Sequence, residues 1–311
     1  MEKNNVLLFG NGLNRISNGD SWSKILNDVS NSPILSSLPY PLQYDFILFD
    51  NKNALETQAL SGRQSKLKEK IKESISKFGS NEVYAKICTM PFDAYITTNY
   101  DMALDAALEG ENFEYDKKLS NYQEKYYNIR RCRVYCNNEE KKYIYPIHGD
   151  INSPNSIVMG YNHYCGTLGK IDRYIKGREY DLPKMEERLE NGELKIKYWI
   201  DHFFFSDVYI IGFGFDYSEI ELWWILDRRR RLMLQNKSLI SNKIIYYDIV
   251  DKDPRNMLDD ELSEKEKKKK DKYELLEKMG VNCEIIVKKN DYKSGYINIL
   301  EKVDSDIEQK K

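Results

Sequence analysis

Residues 5–12 read NVLLFGNG, an apolar run, Asn5–Phe9, that stops at Gly10, Asn11 and Gly12. A continuous run of this kind predicts a buried strand, the kind that builds a parallel α/β sheet. The glycines predict a tight turn at its carboxyl end.

Working outward, Ala94–Thr97, Tyr143–Ile147, Val208–Ile211, Lys243–Val250 and Val281–Val287 are further strand candidates. Between them lie stretches with helical spacing. Residues 22–90 read mostly as helix, and Ser65–Lys77 sets Leu67, Ile71 and Ile75 on one face. Met102–Leu108, residues 183–204 and a stretch from about Ser218 are also helical in pattern. Residues 109–142 are polar and predict an irregular or hairpin insertion. The charged segment at about 258–275 contains Glu264–Lys272, which predicts a solvated helix face or an exposed loop. Strands alternating with helices over 311 residues predict a single domain, 1–311. Its class is α/β, a Rossmann-like doubly wound parallel sheet with a helical insertion at about 22–90.

Forty-eight basic residues nearly balance fifty acidic ones, so net charge implies neither a nucleic-acid coat nor a membrane surface. No stretch approaches the roughly 20 apolar residues of a membrane span. The first apolar run is too short for a signal peptide and no small-residue cleavage site follows it, so a cytoplasmic protein is expected. Five scattered cysteines fit reduced thiols better than a disulfide framework. Cys132 and Cys136 form a lone C-x3-C that would need His148 or His163 to complete a tetrahedral zinc site. Two unrelated thiols are the favoured reading, and no metal is expected.

Four short motifs each follow a predicted strand, where open parallel sheets collect ligands. Gly10-Asn11-Gly12-Leu13-Asn14-Arg15 offers a close backbone approach and free amides to a phosphate, although Arg15 stands at the third glycine position of the dinucleotide fingerprint. Thr97-Thr98-Asn99-Tyr100-Asp101 reads either as a helix-start box from Thr98 to Asp101 or as a ribose site. In the second reading Asn99 bonds a hydroxyl or a water and Asp101 orients a neighbour. His148-Gly149-Asp150 supplies one of three histidines, a base suited to neutral pH, or else a satisfied structural imidazole. Gly212-Phe213-Gly214-Phe215-Asp216 permits another close approach, and Ser218 with Glu221 predicts a capping box for the next helix. Trp223, Trp224, Ile225 and Leu226 predict core or interface, and Arg228–Arg231 a solvated helix end.

In order and character these motifs resemble the sirtuin-like (SIR2) family. FGNGLNR with Ser21-Trp22 is similar to its first glycine turn, and TTNYD to its T-Q-N-x-D segment. Ile147–Asp150 matches its histidine motif, and IIGFGF its later glycine turn, so the resemblance spans roughly residues 5–250. It implies a site with Asn99 and His148 catalytic and Asp101 as a third member, orienting or only capping. NAD would lie against Gly10, Asn11, Gly12, Asn14, Arg15, Thr98, Gly212, Phe213, Gly214 and Asp216.

The departures refine that expectation. The zinc-binding deacylases of the family carry two C-x2-C pairs after the histidine, whereas here only Cys165 lies between His148 and Cys283. The glutamine position of T-Q-N is Thr98. The chain is therefore similar to the divergent SIR2-like domains of bacterial antiphage systems, which implies hydrolysis of NAD to nicotinamide and ADP-ribose in abortive infection. In that chemistry the leaving nicotinamide is already cationic, so no acid is required; a held ribose and an activated water remain. The alternatives are a catalytically silent NAD or ADP-ribose sensor, and, more remotely, a deacylase or ADP-ribosyltransferase. The family analogy further implies control by homo-oligomerisation or a companion defence protein, with the helix Leu222–Leu226 and the charged tail as candidate contact surfaces.

Overall fold

A computed structural model describes residues 3–17, 19–30, 32–50, 60–121, 127–192 and 195–309. Its strands are β1 (Asn5–Phe9), β2 (Ala94–Thr97), β3 (Glu114–Tyr115), β4 (Arg133–Cys136), β5 (Lys141–Pro146), β6 (Asp207–Ile211), β7 (Ile244–Val250) and β8 (Asn282–Val287). The helices are α1 (Trp22–Val29), α2 (Tyr40–Phe49), α3 (Leu60–Ile75), α4 (Glu82–Thr89), α5 (Ala103–Gly110) and α6 (Tyr161–Ile175). They continue with α7 (Met185–Glu190), α8 (Trp199–Phe205), α9 (Ile220–Gln235), α10 (Glu264–Lys278) and α11 (Tyr292–Glu308).

The sheet runs β3-β4-β5-β2-β1-β6-β7-β8. Every pairing from β5 to β8 is parallel, and β3 and β4 add an antiparallel edge. Numbered among themselves, the six parallel strands take the order 3-2-1-4-5-6 of a doubly wound dinucleotide fold. Chain direction across the sheet reverses at β1, so the crevice falls between the carboxyl ends of β1 and β6.

The unbroken apolar run of β1 now has its reason. Val6 and Leu8 enter one core layer with α8 and α9, while Leu7 and Phe9 enter the opposite layer with α4 and α11. A strand covered on both faces has no position for a polar side chain. A third cluster joins α1, α2 and α3 to Tyr100, Ile151, Ile157 and Met159. It docks the helical insertion over the ends of β2 and β5, beside the crevice. Leu67, Ile71 and Ile75 are buried in it as their spacing predicts.

The insertion at about 109–142 takes its expected hairpin form: β4 pairs antiparallel with β5, and β3 with β4, so it extends the sheet. Other expectations are corrected. Residues 183–204 hold two short helices, α7 and α8, instead of one. The segments 51–59, 122–126 and 193–194 of the predicted insertions and helix lie outside the described residues. The arginine run is not a solvated end: it lies mid-helix, and Arg229 is buried, donating to the carbonyls of Phe203 (3.0 Å) and Asn242 (2.7 Å). Leu222, Ile225 and Leu226 are core, so the aromatic stretch of α9 offers outward only the half-buried Trp223 and Trp224. All five cysteines are free thiols, and no helix among the described residues is long and apolar enough to cross a membrane.

Candidate active site

Two glycine turns meet at the switch point. Gly12 donates its amide to the Gly212 carbonyl at 2.9 Å, so this amide is not free for an anion. A Cβ on Gly12 would lie 2.6 Å from that carbonyl oxygen, and one on Gly10 would lie 2.8 Å from the Phe213 ring. The glycines therefore serve the contact between the turns. Gly212 sits at φ 64° and Phe215 at φ 48°, a left-handed backbone that costs a non-glycine residue about 1 kcal/mol or more. Phe215 is held there by edge contacts with Phe213, Trp223 and Tyr246.

These turns floor a cleft of about 440 Å³, within the usual range for cofactor-sized ligands. Of the predicted binding residues, Asn11, Gly12, Arg15, Thr98, Gly212, Phe213, Gly214 and Asp216 line it. Gly10 and Asn14 do not; they lie beneath the floor. Asp248 of β7 and Lys265 and Lys269 of α10 complete the rim; sequence patterning assigned the two lysines to a solvated helix face or an exposed loop. Lys269 bonds Asp248 at 2.8 Å, and Lys272 donates to the Gly214 carbonyl at 2.7 Å. Helix α10 is thus a wall of the cleft.

Asn14 organises the floor. Its Nδ2 donates to Asp101 Oδ2 (2.6 Å) and Asn11 Oδ1 (3.1 Å), and its Oδ1 accepts from the Tyr84 hydroxyl (2.7 Å). Asn99 Nδ2 reaches the same hydroxyl at 3.4 Å. The Asn99 side chain is buried, yet its Oδ1 has no hydrogen-bond partner. Asp101 Oδ1 accepts from the Ala103 amide at 3.0 Å, so this carboxyl caps α5 while it holds Asn14. Burial raises its pKa above the ordinary carboxylate value. The box predicted from Thr98 to Asp101 does not form; Asp101 itself caps, and Thr97 Oγ1 takes the Asn99 amide at 3.0 Å.

His148 opens the third motif and lines a smaller recess of about 40 Å³. Thr98, Tyr100, Tyr164 and Glu219 also line it. Trp22, Tyr40, Thr98 and Glu219 line both cavities. Gly149 turns the chain at φ 83°, where a Cβ would collide with the Ser156 carbonyl at 2.3 Å. Asp150 points away from the cavities, into Arg131 and Arg133.

The side chain that sequence reading assigned to a cap completes the site. Helix α9 has no side-chain cap bond; Asp216 takes the Ser218 amide and hydroxyl instead. Glu221 is fully buried, and its Oε1 is in direct hydrogen-bond contact with His148 Nε2. Glu219 Oε2 stands 3.5 Å from the same nitrogen. Burial opposes charge on His148, but Glu219 and Glu221 outweigh it and raise the imidazole pKa. Burial raises Glu219 to about 8, against the pull of His148 and with repulsion from Glu221 and Asp216. Among the described residues these three side chains are the one histidine–carboxylate group with ligand atoms within 4.8 Å of one another. In the direct contact, the His148 nitrogen and the Glu221 oxygen face each other across a hydrogen bond, not a common centre. Cys132 and Cys136 make no such group with His148 or His163.

Glu219 carries a stability prediction. Its folded pKa lies above its unfolded value, so the folded chain binds the extra proton and stability falls as pH rises from about 4.5 toward 8. His148, also raised, acts in the same direction above 6.5. The lowered values of His163 (about 4) and His202 (about 3) act below 6.5 and in the opposite direction, so the loss stands alone between 6.5 and 8. Between pH 6.5 and 8 the wild type should lose on the order of 2 kcal/mol. Glu219→Gln should remove most of that slope, as read by urea denaturation at fixed ionic strength.

Comparison with known proteins adds an independent finding. The family described as the SIR2-like domain matches residues 93–281. The NAD(+) hydrolase ThsA of Bacillus cereus (strain MSX-D12) is 28% identical over 182 residues, which is 58% of this chain and 35% of that one. The match therefore spans about a third of that relative's length.

Proposed function

The chain belongs to the SIR2-like family, and from that premise we propose that it hydrolyses NAD to nicotinamide and ADP-ribose in antiphage defence. The observation that carries the reading is the placement of a buried histidine, His148, beside a cleft of cofactor size at the sheet's switch point. The similarity to an NAD(+) hydrolase supports the same substrate.

In this reading NAD lies along the 440 Å³ cleft with its reacting ribose toward Thr98 and Glu219. The unpartnered Oδ1 of Asn99 is the acceptor for a ribose hydroxyl or the attacking water. His148 takes the proton released as water adds, and the glycosidic electron pair leaves with nicotinamide. Asp101 acts through Asn14, holding the floor in place. The zinc module that serves acyl-lysine chemistry in other family members has no counterpart in these free cysteines, which favours water as the acceptor.

The test is an NAD-consumption assay with product identification, run beside a sizing measurement on the full chain. Nicotinamide and ADP-ribose in equal amounts are expected, from the isolated chain or from an assembly formed with itself or a companion protein. Stoichiometric NAD or ADP-ribose binding without turnover in every assembly state would replace this reading with a sensor. Product appearing only with an acyl-lysine or protein acceptor would replace it with a transferase.

A further inference from the structure

We propose, resting on the NAD-hydrolase reading, that Glu221 is the positioning residue of the reaction. It binds Nε2 of His148, which leaves Nδ1 as the nitrogen that exchanges the proton. Three observations converge on this. Glu221 is fully buried, on the second residue of α9, where the helix has no need of it for a cap. Its Oε1 contacts His148, and its Oε2 is buried with no other hydrogen-bond partner. A carboxylate buried at such cost of solvation is kept only where a cation or donor compensates it, and His148 is the group that does.

The consequence follows from imidazole chemistry. With Nε2–H donating to Glu221, the neutral ring holds its lone pair at Nδ1. As water adds to the ribose carbon, the carbon–oxygen bond forms and its proton passes to Nδ1. The carbon–nitrogen bond to nicotinamide breaks with its electron pair going to the ring nitrogen. Glu221 then faces an imidazolium across the same bond, the arrangement that stabilises a charged base.

The groups facing His148 are Glu219 and Glu221 from the start of α9, Tyr164 from α6 (ring centroids 5.3 Å apart) and Tyr100 beyond β2. Asp216 stands behind Glu219. None of these is a cation. Glu219 and Glu221 both raise the imidazole pKa against burial, and Glu221 is the one in direct hydrogen-bond contact with the ring.

Only three histidines are present, and burial lowers His163 to about 4 and His202 to about 3. A ring-labelled NMR titration of the full chain therefore isolates His148 as the histidine that titrates above 6.5. Glu221→Gln keeps the shape and the acceptor while removing the charge. It should lower the His148 titration by about one unit or more and leave the other two unmoved. The acid limb of kcat/KM against pH should move with it. kcat should fall roughly 10–100-fold with KM little changed, below the 10²–10⁴ that a general base supplies. Glu221→Asp should restore the titration in part and serves if the glutamine variant folds poorly. An unmoved His148 titration in folded Glu221→Gln overturns the inference, as does an unshifted limb at full kcat. Loss of the titration on adding equimolar Zn²⁺, reversed by chelation, also overturns it by making the group a cation site. Absence of NAD turnover in wild type counts against the hydrolase reading alone, because the titration still decides whether Glu221 governs His148.

Discussion

Asp150→Ala is expected to destabilise the chain by about 3–5 kcal/mol, a large share of the roughly 5–15 kcal/mol that holds an ordinary domain together. The carboxylate is fully buried and faces two guanidiniums: Arg131 reaches it at 3.1 and 3.2 Å, and Arg133 at 2.9 Å. Its Oδ1 also takes the amides of Asn152 and Ser153, at 3.1 and 3.2 Å. Replacing a whole buried ion-pair group with apolar residues can be neutral, but removing one member leaves its partners' charge in a low dielectric. Arg133 keeps Asp105, which the Tyr135 hydroxyl also bonds at 2.9 Å. Arg131 loses its bidentate contact. Asp150→Asn keeps the shape and some hydrogen bonds, so a smaller loss is expected there. Urea denaturation followed by circular dichroism measures both, and an alanine variant within about 1 kcal/mol of wild type would falsify this account of the network. The His-Gly-Asp motif thus divides its labour: His148 faces the cavity, Gly149 makes the turn, and Asp150 anchors it from behind.

That division could not be read from the sequence, although much of the fold could. The strands β1, β2 and β6 were legible because burial on both faces forces an unbroken apolar run, which is a local signal. The four motifs were legible because each follows such a strand. What failed were readings that a single side chain's distant partner decides. Ser218 and Glu221 have the spacing of a capping box, yet Glu221 reaches His148, 73 residues away in the chain. Arg229 sits in a run of four arginines, and only its neighbours Phe203 and Asn242 distinguish it from a solvated one. Helix α6 carries Gly166 and Gly169, which weaken the helical pattern of a segment that packing nevertheless holds. The lysine-rich helix α10 was read correctly as charged. That it walls the cleft depends on the sheet edge beneath it.

Asn99→Ala separates function from stability most sharply. NAD turnover should fall roughly 10²–10⁴-fold, the range for a group that positions or activates the nucleophile. His148→Gln should do the same. The two differ in their effect on the fold. His148→Gln leaves the buried Glu221 facing a neutral amide, so it should destabilise as well as inactivate. Asn99 has a buried carboxamide oxygen with no partner and a single long bond from Nδ2 to Tyr84 at 3.4 Å. An orphaned acceptor of this kind costs about 1–3 kcal/mol, which truncation relieves and which offsets the small cavity left behind. Asn99→Ala should therefore unfold within about 1 kcal/mol of wild type while losing its activity. In the proposed reading the substrate supplies the partner that this buried oxygen lacks within the fold, which is the arrangement of a preorganised site. Added NAD should then raise the thermal midpoint of the wild type by more than that of Asn99→Ala. Equal shifts, or an alanine variant with full turnover, would remove Asn99 from the site.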